Sequence, residues 1–76
     1  MGRLNLTSWQ RQRLRRQLGQ THDVRLFQRT LAVLEFDYGR SAADLARMLG
    51  VTRQTIYNWV QTYGETLDPE SLEDRE

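Results

Sequence analysis

Residues 41–60 read SAADLARMLGVTRQTIYNWV, and their spacing predicts two short helices meeting at a single glycine. Ser41 caps the first, whose inner face carries Leu45, Ala46 and Leu49 and which stops at Gly50. Thr52 caps the second, whose apolar stripe is Ile56, Trp59, Val60 and Tyr63. Two helices that cross tightly need a small residue where they touch and a glycine that turns without Cβ strain. They also need apolar side chains on both inner faces. Ala46, Gly50 and the set Leu45, Leu49, Val51, Ile56 and Trp59 meet those demands at one spacing.

That pattern is a helix-turn-helix, and the outward face of its second helix is unusual for a solvated surface. It carries Gln54, Tyr57, Asn58 and Gln61 with Arg53 at the helix start, and no acidic residue between 52 and 63. In a major groove, Gln and Asn can pair bidentately with adenine and Arg with guanine, whereas fixed negative charge would be repelled by phosphate. Arg53, Gln54, Tyr57 and Asn58 are therefore the candidates for base readout. Arg40, Ser41, Thr52, Thr55 and Gln61 are the candidates for phosphate contact, the two caps doing so with the free N–H groups of their helix starts.

Working outward, Thr7-Ser8-Trp9-Gln10 fits a capping box opening a helix over about 8–18, closed by Gly19, with Leu14 and Leu18 as its apolar pair. A longer helix is expected over 22–38. Val24, Phe27, Leu31, Leu34 and Tyr38 form its core stripe, and Gly39 ends it. Leu26, Val33 and Phe36 make a second patch, to be covered by the N-terminal helix or by a partner subunit. The remaining helices are expected over 42–49 and 53–63. Residues 65–76 hold the only proline and no useful periodicity, and read as an acidic linker or frayed tail. The expected fold is all-α: three core helices in a helix-turn-helix bundle plus an N-terminal helix.

Composition limits what such a chain can do. With 76 residues there is room for one small core and for no catalytic domain beside it. The sequence has no cysteine and one histidine, His22, so disulfides and a zinc site lack ligands. Asp23, Asp37 and Asp44 are scattered over different elements without the pairing that acid–base or two-metal chemistry requires. No enzyme activity, metal, cofactor or small-molecule substrate is expected.

The net charge of +1 hides a division. Residues 1–64 hold ten Arg against four acidic residues, and 65–76 hold six acidic residues against Arg75. Arg11, Arg13, Arg15 and Arg16 crowd the first helix, either to contact backbone phosphate, or to form a solvated face or one that pairs with the acidic tail of a neighbouring molecule. Trp9 and Trp59 are read as packing residues. No apolar run spans a bilayer and the N-terminus lacks the apolar segment of a signal peptide, so a cytoplasmic, nucleoid-associated location is expected.

Over residues 7–64 the chain resembles the N-terminal DNA-binding region of bacterial, mariner-related insertion-sequence transposases and of transposase-like helix-turn-helix proteins. The resemblance is carried by Gly39, Ser41, Ala42, Leu45, Ala46, Leu49-Gly50-Val51, Arg53, Thr55, Ile56, Tyr57 and Trp59, with Arg29 and Leu34 before them. LARMLGVTRQTIYNWV is its most specific part. It implies a homeodomain-like fold that recognises the terminal inverted repeats of a mobile element. In such proteins a second DNA-binding subdomain and an acidic nuclease domain would follow. The resemblance therefore implies an excised domain or a truncated frame that binds DNA without cutting it. Two other functions fit the residues: a host regulator binding an operator, and a protein-interaction or inhibitor module using Leu26, Val33, Phe36 or the N-terminal helix, the same surfaces through which a homodimer could form.

Overall fold

A computed structural model describes residues 4–73 of the chain. Four α-helices follow one another: α1 (Ser8–Gln20), α2 (Val24–Asp37), α3 (Ala42–Leu49) and α4 (Arg53–Thr66). A 3₁₀ turn, Pro69–Leu72, comes after them. α2, α3 and α4 pack around one core, α1 lies against α2, and the 3₁₀ turn packs on α1, α2 and α4. Among the described residues there is no strand.

The helix boundaries follow from capping chemistry. At α1, Thr7 Oγ1 accepts the Gln10 N–H at 3.1 Å and the Gln10 side chain accepts the Thr7 N–H at 2.9 Å, a reciprocal capping box. α2 starts two residues later than the sequence suggests, because Asp23 is its N-cap and accepts the Arg25 N–H at 2.9 Å. At its far end Gly39 has φ of +106°, its N–H donates to Phe36 C=O, and the Arg40 N–H donates to Glu35 C=O. That is a Schellman ending, which needs the left-handed conformation glycine adopts at little cost. Gly50 closes α3 in the same way, with φ of +71°.

Gly19, expected to close the first helix, does not, and the last helix runs beyond its expected end at residue 63. α1 runs past Gly19 to Gln20, and α4 runs past Gly64 to Thr66, where Leu67 takes the left-handed position at φ of +55°. Packing decides these ends. The segment after α4 turns back onto the body, and Pro69 and Leu72 are buried there. The reading of this stretch as a frayed linker is therefore corrected for residues 65–73; residues 74–76 lie outside the described part. The sequence signal was weak because only two apolar anchors, Pro69 and Leu72, sit among acidic neighbours. Two side chains also reach across to its backbone, since Gln17 Nε2 donates to Pro69 C=O at 2.9 Å and Arg29 Nη1 to Leu72 C=O at 3.1 Å.

α2 is rotated relative to the expected stripe. Val24 is 71% exposed, Phe27 and Tyr38 are also exposed, and Leu31 is half-buried, so only Leu34 of the five is fully in the core. Leu26, Thr30, Val33, Phe36 and Asp37 are buried instead. Two polar residues on the inner face misled the periodicity, and both are satisfied internally. Thr30 Oγ1 donates to Leu26 C=O at 2.7 Å and accepts from Gln17 Nε2 at 2.9 Å. Asp37 accepts the Leu6 N–H at 3.1 Å and Arg11 Nε at 2.7 Å. The patch Leu26, Val33 and Phe36 is thus covered within the chain rather than left open for a partner subunit.

Candidate nucleic-acid interface

The helix-turn-helix forms as its spacing requires. Leu45 and Ala46 of α3 and Ile56, Val60 and Tyr63 of α4 are buried, with Leu49, Val51 and Trp59 packed at the margin. The turn is closed by hydrogen bonds from the Gly50 and Val51 N–H groups to Ala46 C=O. With one side of α4 committed to the core, the helical period turns Arg53, Gln54, Tyr57, Asn58 and Gln61 outward, and all five are exposed.

These side chains form an ordered surface. Gln54 Nε2 donates to Asn58 Oδ1 at 3.0 Å, a one-turn amide pair. The pair leaves the Gln54 carbonyl as an acceptor and the Asn58 amide as a donor. The Tyr57 ring meets Phe36 of α2 edge-on, with centroids 6.3 Å apart and planes at 83°, while half of the residue stays open to solvent. The base-readout candidates are therefore brought together on one face, and Arg53 has no carboxylate partner among the described residues.

The phosphate candidates are more mixed. Ser41 Oγ accepts the Asp44 N–H at 3.0 Å, and Thr52 Oγ1 accepts the Thr55 N–H at 3.1 Å and lies 2.9 Å from Thr55 Oγ1. Both hydroxyls thus act as helix caps. Thr55 is half-buried, and Arg40 Nε pairs with Glu35 at 3.2 Å. Arg40 would have to exchange that carboxylate for a phosphate. Gln61 is exposed near the far end of the face.

The four arginines of α1 divide into different roles. Arg11 is bound to the buried carboxylate of Asp37. Arg13 reaches Asp68 at 3.4 Å and lies over the ring of Trp9 at 5.1 Å. The acidic residue that Arg13 meets therefore belongs to its own chain. Trp9, expected to pack, is 66% exposed, with that guanidinium over its ring. Trp59 does pack, with the Arg29 guanidinium 5.8 Å from its ring. Arg15 donates to the Tyr38 hydroxyl, and Arg16 lines an open groove of about 420 Å³ with Gln17, Gln20, Glu70 and Glu73. Placing Tyr38 in the core hid its surface role, which only the rotation of α2 reveals.

Among the described residues no helix is long and apolar enough to cross a membrane. No curated protein and no solved structure gives a significant match to the chain. A family model described as a homeodomain-like domain matches residues 23–70, well over half of the chain, and runs from the cap of α2 into the 3₁₀ turn. With the helix-turn-helix closed at Gly50 and the amide face of α4 outward, the chain belongs to this homeodomain-like family of helix-turn-helix, DNA-binding modules.

Proposed function

We propose that the chain is a sequence-specific double-stranded DNA-binding domain that lays α4 in the major groove and recognises the terminal inverted repeats of a mobile element. It would act as the N-terminal part of a transposase or as a truncated transposase. The observation that carries the DNA reading is the outward face of α4, where the linked amides of Gln54 and Asn58 stand beside Tyr57 and Arg53. The free acceptor and donor of the amide pair complement the N6–H donor and N7 acceptor of adenine, and Arg53 can reach guanine. Ser41, Thr52 and Thr55, with Arg40 and Gln61, set the register on the phosphates. A module of this size buries about 600–1,000 Å² of protein surface on DNA, so its affinity is modest and strongly salt-dependent.

The mobile-element part rests on the resemblance carried by LARMLGVTRQTIYNWV. An operator-binding regulator would use the same face, whereas an interaction module built on Leu26, Val33 and Phe36 has lost its surface to the core. Selection of random duplexes by the purified domain at two salt concentrations tests the proposal. One motif enriched at both salts, and matching the end of a mobile element, supports it. A motif that recurs as a spaced palindrome upstream of genes would point to the regulator, and uniform retention of all sequences would overturn base readout.

A further inference from the structure

The homeodomain-like match begins at residue 23, so α1 lies outside it and has no role assigned by the family. Its arginines are not equivalent. Arg11 and Arg13 each meet a carboxylate of the chain, Asp37 and Asp68. Arg15 meets none among the described residues and donates instead to the hydroxyl of Tyr38, with its guanidinium 5.6 Å from the centre of that ring. Arg11 sits at the same distance from the ring, so Tyr38 is held between two guanidinium groups while remaining 41% exposed. Because the phenol oxygen accepts from Arg15, its own proton remains available to donate.

The position of this pair gives it a partner. Tyr38 is the C-cap of α2 and lies three residues before Ser41, the N-cap of α3. Two residues before it, Phe36 touches Tyr57 on the face of α4. In three-helix modules of this type the loop between the first two helices runs along the DNA backbone beside the groove that the last helix enters. Here that loop is Tyr38–Ser41, and α1 delivers an uncompensated guanidinium to it. We propose that Arg15 and Tyr38 form a phosphate clamp that extends the interface of the DNA reading above onto α1, with the guanidinium N–H groups and the phenol O–H donating to one backbone phosphate. The clamp adds affinity and salt dependence and reads no base.

The test compares the wild-type chain with Arg15→Gln, Arg16→Gln and Asn58→Ala on the selected motif and on a scrambled duplex over a range of salt. Arg15→Gln is expected to bind both duplexes several-fold more weakly at low salt. It should also reduce the slope of log K against log salt by about 0.9, the value for one phosphate, without changing the preferred motif. Arg16→Gln, on the groove side of α1, should leave the slope alone. Ethylation of individual phosphates supplies a second readout, which compares positions on the DNA within each protein and so separates a lost contact from a general loss of folded protein. One phosphate flanking the motif should weaken the wild-type chain when ethylated and be silent for Arg15→Gln. Unchanged affinity and slope in Arg15→Gln, or no such phosphate, would overturn the clamp while the loss of preference in Asn58→Ala leaves base readout standing. A wild-type chain that binds no duplex would overturn both.

Discussion

The outward faces of α1 and α4 are both polar, and they are polar in different ways. On α1, Arg11 and Arg13 are tied to Asp37 and Asp68, and Gln17 is tied to Thr30 and Pro69, so most of the polar groups hold the molecule together. On α4, Gln54 and Asn58 bond only to each other, and Arg53 has no carboxylate partner among the described residues. The difference teaches that charge density by itself does not locate an interface. What matters is which donors and acceptors the fold has left open: α4 presents a whole face of them, whereas most of those on α1 are already engaged.

The largest expected effect lies on the side of the molecule that α1 and the 3₁₀ turn close. Leu72 is 2% exposed, and Leu72→Ala should cost about 3 kcal/mol through lost burial and a cavity, read by denaturant titration. In a domain this small that is a large share of total stability. A loss below about 1 kcal/mol would show that the turn is an ornament rather than part of the core.

Asp37→Ala comes next, at about 2–3 kcal/mol. It removes the acceptor of a buried main-chain N–H and of Arg11, whose side chain is 34% exposed and so recovers some solvation. DNA preference should be untouched in the folded fraction; a changed motif would break the division between the two faces. Gly50→Ala should cost about 1 kcal/mol, because alanine is strained at φ of +71° although there is space for its Cβ.

The smallest effect is expected at Tyr63, on the inner side of α4. Its hydroxyl is buried without a hydrogen-bond partner among the described residues, so Tyr63→Phe should be neutral or stabilise by up to about 1 kcal/mol at pH 7. Burial pushes its phenol up from the ordinary 10.0, with Arg13 partly opposing. The folded state thus disfavours the phenolate. This contribution is complete below pH about 10 and is lost as pH rises through the raised folded value. An alkaline unfolding limb in the wild-type chain should be shallower in Tyr63→Phe. An equal limb in both would remove Tyr63 as its cause.

The helix-turn-helix was legible in the sequence because every local signal in it agrees: a cap at Ser41, glycine at 50, a cap at Thr52, and inner faces of apolar residues alone. The outward face of α4 follows from that phase. α2 was less legible because Thr30 and Asp37 occupy core positions usually held by apolar side chains, and their partners, Gln17, Leu6 and Arg11, are 13 to 31 residues away. Assigning Val24, Phe27 and Tyr38 to the core followed from that misreading. The packing of Pro69 and Leu72 was hidden for the opposite reason, since two anchors are too few to make a period.

The most direct test of the central claim, that the open amides of α4 read bases while the polar face of α1 does not, is a pair of affinities. The wild-type chain and Asn58→Ala would each be titrated, at one salt concentration, with the selected motif and with a scrambled duplex. The account predicts that Asn58→Ala lowers the preference for the motif by about 1–3 kcal/mol and leaves binding to the scrambled duplex nearly unchanged. Equal weakening on both duplexes, or no weakening on either, would contradict it.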